Sequence, residues 1–306
     1  MSGELPATLG TPAVRSRRFF SATLLSDYWT LTKPEVNFLI LITTSVGFDL
    51  GCSNAGQQLS FFALFNTMVG TLLVASGTTT LNQYIERKFD AQMHRTARRP
   101  AAAGRLNPHA VLSFGIILSA AGTIYLAVST TMLASLLALL TLISYLFLYT
   151  PLKRRTPLCV LVGAFPGAMP PLIGWAAASG SLNIEAWLLY AIVFLWQFPH
   201  FMAIAWMYRE DYDRAGYSVL PRGPARVAIV ILQTMLPLVV LLPLSIVQFP
   251  ARHSAIYCWV GHLLGFGFLF LGLEFVLQRS RGTARRLLAA SIVYLPLLFL
   301  LRVTCR

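Results

Sequence analysis

The chain is short of acid. Its 306 residues include 11 Asp and Glu against 24 Lys and Arg, and charged types together make up only 11%. With 56% hydrophobic residues and a mean hydropathy of +0.66, so few charges exclude an ordinary soluble domain. Cysteine is scarce too. Cys52, Cys159, Cys258 and Cys305 stand at spacings that match neither a zinc site nor a disulfide framework, so they read as small hydrophobes. Residues 1–25 are polar, with Arg15, Arg17 and Arg18, and lack a secretory h-region and cleavage site. Glu4 and the shortness of this stretch argue against a mitochondrial presequence, and it reads as a cytoplasmic tail. No later polar stretch is long enough for a second domain, so residues 26–306 are expected to form one.

What the chain does have is apolar runs of about 17 to 23 residues, each enough to cross the hydrocarbon as a helix. They lie at 35–51, 60–83, 109–127, 131–149, 157–177, 184–206, 226–247, 255–277 and 284–301. Their Leu, Phe and Ala show no ten-residue alternation, which favours helices over a barrel. The fold class is all-α: a polytopic membrane protein of nine transmembrane helices. Of the 24 Lys and Arg, 21 precede span one or fall between spans two and three, four and five, six and seven, or eight and nine; only Arg252, Arg302 and Arg306 lie on the other side. The positive-inside rule then puts the amino terminus in the cytoplasm and the carboxy terminus outside. The excess of positive charge is topology, and it gives no reason to expect nucleic acid.

The stretch 82–100, NQYIERKFDAQMHRTARRP, follows span two. Asn82, Glu86 and Asp90 recur every four residues. On a helix each such step turns only about 40°, so three oxygen-bearing side chains rise along one face about 6 Å apart. Two carboxylates and an amide in a row suit a hard cation such as Mg²⁺ carrying phosphate oxygens. Arg87 and Lys88 lie within the row, and Arg95, Arg98 and Arg99 follow it. From the next inside loop, Tyr149 and Lys153 set a phenol and an ammonium four residues apart, and both can donate to a diphosphate oxygen. A second acidic segment after span six supplies Glu210, Asp211 and Asp213, a faint echo of the first. Acidic metal ligands beside a basic cluster at a membrane surface point to a diphosphate on an apolar tail.

Span five carries Gly163, Pro166, Gly167, Pro170, Pro171 and Gly174. Such breaks are tolerated where the freed backbone lines a cavity, so this helix is expected to wall a pocket. His200 sits within span six behind Pro199. A histidine in a membrane helix needs a partner, and the carbonyl that Pro199 frees is one candidate. From the residues alone, Trp196, Phe198 and Tyr145 read as packing rather than cofactor contacts.

These residues together are recognisable. The first row resembles the Asn-x-x-x-(Asp/Glu)-x-x-x-Asp signature of the UbiA-type intramembrane prenyltransferases. The longer string resembles the branch of that family that farnesylates heme, as do LTKP at 31–34, YTPLKRRT at 149–156, GAMPPLIGW at 167–175, WQFPHF at 196–201 and DYDRAGYSVLP at 211–221. The resemblance runs from about residue 27 to the last helix. It departs at Cys159, where asparagine is expected, and at the second acidic motif, which lacks the Asp-x-x-x-Asp spacing and leaves open which of its three acids meets metal.

The resemblance implies a nine-helix bundle around a central cavity that opens to the cytoplasmic side and to lipid, in a bacterial inner membrane. It implies transfer of farnesyl from farnesyl diphosphate to a vinyl group of protoheme IX, giving heme O. Mg²⁺ is then the cofactor, with Asn82, Glu86, Asp90, Glu210, Asp211 and Asp213 as metal ligands. Catalysis falls to Asn82, Glu86, Asp90, Asp211 and Asp213, and diphosphate binding to Arg87, Lys88, Arg95, Arg98, Arg99, Tyr149 and Lys153. His200, Trp196 and Gln197 are the heme candidates. A heme A synthase or an oxidase assembly factor is the implied protein partner, and membrane lipids surround the bundle. Two other readings share parts of this pattern. A prenyltransferase for an aromatic acid or chlorin would keep the diphosphate site, and a secondary transporter would explain the broken helix but not the one-sided loops.

Overall fold

A computed structural model describes residues 15–221, 223–247 and 255–305. Among them lie nine helices long and apolar enough to cross a membrane, matching the nine expected runs. A helix not expected from the sequence, α1 (Arg15–Leu31), precedes the first span. A boundary at residue 25 therefore cuts through α1, and residues 1–14 of the expected tail lie outside the described residues. The spans are α2 (Pro34–Asn54), α3 (Phe61–Asp90), α4 (Pro108–Ser129), α5 with its continuation through α6 (Met132–Leu152), the broken pair α7 (Cys159–Gly167) and α8 (Met169–Ser179), α9 (Ile184–Met207), α11 (Ala225–Ile246), α12 (Ala255–Gln278) and α13 (Arg281–Thr304). The short α10 (Arg209–Arg214) follows α9.

Local chemistry sets the boundaries. Ser60, Asn107 and Asn183 each accept a backbone N–H from the first turn of the helix they precede, and Ser280 with Thr283 forms a capping box on α13. The chain leaves α8 through Gly180 at φ 70°, a left-handed turn that glycine makes without strain. Burial sorts the helices into layers. The α7–α8 pair is 72% buried and α9 61%, whereas α4, α5–α6 and α11 bury only 22–28%. The interior helices are thus the broken one and the one carrying His200. The outer ones present Ile117, Val128, Leu136, Phe147 and Leu232 outward, as a lipid-facing surface requires.

In lipid, helix association depends on close packing of small residues. The contact of α2 with α8 is the clearest case. A Cβ on Gly47 would lie 2.1 Å from the Pro171 carbonyl oxygen, and one on Gly174 would lie 1.9 Å from that of Thr44. Backbone meets backbone, so no rotamer change could make room. Gly174→Ala is expected to destabilise the bundle by about 1–3 kcal/mol, the usual range for overpacking. Gly267→Ala serves as the control, because its Cβ would enter open space. Thermal unfolding in detergent checks both, and equal midpoints would contradict the close contact.

Span four is not one regular helix. Residues Ser144–Tyr149 form a π-helical segment between α5 (Met132–Ile143) and α6 (Thr150–Leu152). Pro151 has no N–H to continue the α ladder, and the Thr150 hydroxyl bonds the Tyr145 carbonyl at 2.9 Å. Each four-residue step on an α-helix drifts by about 40°, and the wider π turn takes that drift back. Thr141, Tyr145, Tyr149 and Lys153 therefore all reach the same cavity.

Candidate active site

A cavity of about 620 Å³ lies between α2, α3, span four, α7–α8, α9 and the segment after α10. One end is charged. Asn82, Glu86 and Asp90 line it from α3 as the four-residue spacing requires, and Lys33, Arg95, Arg99, Tyr149 and Lys153 join them. The row is buried, at 1%, 6% and 1% exposure. Its members already have partners. Lys153 Nζ donates to Glu86 Oε1 and Oε2 at 2.9 and 3.1 Å, and Arg99 Nη1 donates to Asp90 Oδ2 at 2.8 Å. Asn82 Nδ2 donates to Glu86 Oε2 at 2.8 Å, and its Oδ1 accepts the Thr150 hydroxyl at 2.9 Å. Burial would lower the Lys153 pKa, but Glu86 and the Tyr149 and Tyr145 phenols outweigh it and hold the ammonium well above its ordinary value. Lys153 stays charged, 4.5 Å from the Tyr149 ring centroid.

Several expectations are corrected. Arg87, Lys88 and Arg98 do not line this cavity. Arg87 and Lys88 edge a separate hollow beside Asn107 and Pro108, with Arg87 folded over the Tyr84 ring, and Arg98 is exposed. On α3, Arg87 and Lys88 directly follow Glu86, so the helix turns them off its face. Glu210, Asp211 and Asp213, on the short α10 beyond α9, do not line it either, and each pairs with a nearby arginine. Glu210 pairs with Arg209 and Arg281, Asp211 with Arg214, and Asp213 with Arg226. Asp211 also accepts the Arg95 backbone N–H at 3.1 Å. Burial would raise its carboxyl, but the N–H groups of Arg95 and His94 and the Arg214 guanidinium together hold it below the usual range. Its place is to hold the loop that presents Arg95 and Arg99. Tyr145 lines the cavity and is more than packing, whereas Phe198 is buried away from it.

Among the described residues, no three His, Cys, Asp or Glu side chains form a metal-binding group. The α3 row nevertheless fits a hard cation in chemistry, with oxygen donors only and two of them carboxylates. The second acidic segment lies outside the lining, with its acids on arginines.

Lys33, in the LTKP stretch, joins the site although it lies outside the candidate residues above. It stands at φ 49°, a left-handed conformation that costs a non-glycine residue about 1–2 kcal/mol. It lines the charged end. Burial and the charges of Arg99 and Lys153 push its pKa down to about 7, with Glu86 and Asp90 opposing. In the ligand-free protein it is charged below that pH and neutral above. An anion bound beside it raises its pKa, so above pH 7 binding must recruit a proton, at about tenfold in affinity per pH unit. Affinity for a prenyl diphosphate analogue is therefore expected to fall between pH 7 and 8.5 relative to Lys33→Met. The ligand's own titration is common to both proteins and cancels in the comparison. Parallel pH profiles by calorimetry would remove Lys33 from the anion site.

The opposite end of the cavity is mainly apolar, with Val74, Ala138, Ile173, Val193 and Leu295 around Trp196, Gln197 and His200. As expected, the broken span walls it, and its glycines make room. A Cβ on Gly163 would strike the Tyr149 ring at 2.6 Å, and one on Gly167 the Gln197 Oε1 at 2.0 Å. Gln197 spends its amide nitrogen on the Ala164 and Val193 carbonyls. His200 bonds Ser291 of α13 at 2.8 Å, so its partner is not the carbonyl freed by Pro199. Ser291, one hydroxyl in an apolar run, carried no signal in the sequence.

The cavity joins a cation-rich polar end to a mainly apolar chamber, and comparisons with known proteins agree with that geometry. The model of the UbiA prenyltransferase family matches residues 40–299. A protoheme IX farnesyltransferase of Solibacter usitatus is 46% identical over 288 residues, covering 90% of this chain and 97% of the relative. Among solved structures, one described as a digeranylgeranylglyceryl phosphate synthase superposes with a TM-score of 0.71 at 15% identity, covering 92% of this chain and 98% of its own. A UbiA homologue from Archaeoglobus fulgidus bound to GPP and Mg²⁺ gives 0.63 at 14%, covering 90% and 99%. The extent of the family match and the identity to the farnesyltransferase leave one conclusion: this multi-pass membrane chain belongs to the UbiA prenyltransferase family.

Proposed function

We propose that the chain transfers the farnesyl group of farnesyl diphosphate to a vinyl group of protoheme IX, forming heme O and releasing diphosphate. The observation that carries this reading is the two-ended cavity: Glu35, Glu86 and Asp90 with four basic side chains at one end, an imidazole in an apolar chamber at the other. The 46% identity to a protein named for this activity supports it.

The chemistry follows from the lining. As the allylic C–O bond breaks, negative charge grows on the diphosphate, where Lys33, Arg95, Arg99 and Lys153 converge as donors. Asn82, Glu86 and Asp90 would hold Mg²⁺, which when bound supplies Lewis-acid neutralisation of that leaving group. The rings of Tyr145 and Tyr149 offer π faces to the carbocation left behind, and the apolar lining keeps water from quenching it. The vinyl π bond then forms the new C–C bond, and water captures the resulting cation beside the porphyrin with loss of a proton. No strong base is required. His200 holds the heme.

Hemes extracted from host membranes expressing the chain test this directly. Reverse-phase chromatography with mass spectrometry is expected to show protoheme heavier by one farnesyl group and one hydroxyl group. Unmodified protoheme beside a different prenylated aromatic would assign another acceptor. For location, the proposal is a bacterial inner membrane with the charged end toward the cytoplasm, supported by the 21 Lys and Arg on that side. Arg252 and Arg306, on the other side, lie outside the described residues. Reporter fusions after Gly104 and Gly216 are expected to read cytoplasmic, and those at Gly180 and the carboxy terminus external. A cytoplasmic carboxy terminus would overturn this orientation.

A further inference from the structure

The environment of His200 fixes which of its nitrogens faces the cavity. Ser291 is fully buried on α13, one turn before the cavity-lining Leu295. Its Oγ lies 2.6 Å from the Leu288 carbonyl oxygen and 2.8 Å from His200 Nδ1. Two oxygens at 2.6 Å with no proton between them would repel, so the single hydroxyl proton belongs to Leu288. Only lone pairs are then left toward His200, and Nδ1 must be the donor. A neutral imidazole carries one N–H, so the lone pair sits on Nε2. The same residue fixes the ring a second way. The Trp196 indole donates to the Ser291 carbonyl at 2.8 Å and stacks on the imidazole, centroids 4.9 Å apart and planes at 29°. One residue of α13 thus grips both rings, one helical turn apart on α9.

Resting on the reading of the cavity as a protoheme chamber, we propose that Ser291 is a positioning residue that locks His200 in the Nδ1–H tautomer and presents Nε2 as an axial ligand to the substrate iron. Ligating histidines elsewhere are oriented in this way through their second nitrogen. A consequence for substrate class follows. An Nε2 lone pair can bind a metal centre that lies face-on to it, whereas the two N–H groups of a metal-free ring lie in the ring plane and point inward, where an axial acceptor cannot meet them. The acceptor must therefore be a metalloporphyrin, recognised through its metal as well as its edge.

The test uses full-length protein in detergent, titrated with protoheme and with metal-free protoporphyrin IX, and read by absorbance and fluorescence. Wild type is expected to bind protoheme at least tenfold more tightly, with the spectrum of an imidazole-ligated iron. Ser291→Ala should weaken protoheme by about 10- to 100-fold, the usual cost of removing such a partner, and change that spectrum. It should leave porphyrin affinity and the affinity for a prenyl diphosphate analogue unchanged, and Ser291→Thr should restore ligation. Equal wild-type affinities for the two ring systems would overturn the proposal without any variant. So would an unaltered protoheme spectrum in Ser291→Ala. Loss of analogue affinity together with heme affinity would make Ser291 a packing residue and equally overturn it. If wild type binds no protoheme at all, the reading of the chamber itself fails; if it binds and farnesylates protoheme while Ser291→Ala matches it, only the tautomer assignment fails.

Discussion

Asp90→Asn and Glu86→Gln are each expected to reduce farnesyl transfer by at least 100-fold while leaving membrane insertion intact. Both carboxylates are buried on one face of α3, and together with Asn82 they are the oxygen row suited to Mg²⁺. Losing the Lewis acid's hold on a leaving diphosphate typically removes several kcal/mol of transition-state stabilisation, and 2.7 kcal/mol already corresponds to about 100-fold. The substitutions also release Arg99 or Lys153 from its carboxylate, making the pocket more positive. Binding of a prenyl diphosphate analogue should therefore survive but lose its dependence on Mg²⁺. That split separates a metal role from a merely structural one. Turnover near wild type in both variants would sink the assignment, and so would analogue binding that keeps its full response to Mg²⁺.

The second large effect concerns the other end of the cavity. His200→Ala should abolish heme binding and product while preserving affinity for the diphosphate analogue. The charged end draws none of its groups from α9, so deleting an α9 imidazole leaves it unaltered. A packing role predicts a different result, in which lost contact with Ser291 lowers stability and both affinities together. Absorbance titration with protoheme and calorimetry with the analogue, on one preparation, distinguish the two. A wild-type heme spectrum in the variant would take His200 out of the site.

Much of this arrangement is legible in the sequence, because it rests on periodicity and on the energetics of the bilayer. Nine apolar runs become nine spans among the described residues since each must satisfy its own backbone in lipid. Asn82, Glu86 and Asp90 share a face since the helix geometry leaves no choice. Glycine and proline in span five become a cavity wall since nothing else tolerates so broken a helix at that depth. What stays hidden depends on partners distant in sequence. The acids at 210–213 look like metal ligands until the structure brings Arg226 and Arg281 to them. The π segment at 144–149 has no sequence period of its own, yet it swings Tyr145 into the cavity. Lys33 belongs to a readable motif, LTKP, but its left-handed backbone follows from how α1 meets α2. Ser291 is invisible for the same reason.

The order of the chain adds a point about biogenesis. Every carboxylate, lysine and arginine on the cavity wall, from Lys33 through Glu86 and Arg99 to Lys153, lies in the first half of the sequence, whereas the chamber around His200 is closed by α9 and α13. A polypeptide emerging amino terminus first therefore assembles its ion-pairing half as soon as span four joins span two, since Glu86 meets Lys153 across 67 residues. Until then Glu86 must stay near the headgroups. The nascent protein thus joins its acid row to Lys153 several spans before Asp211 arrives to pin the Arg95 loop and before the compartment for the acceptor exists.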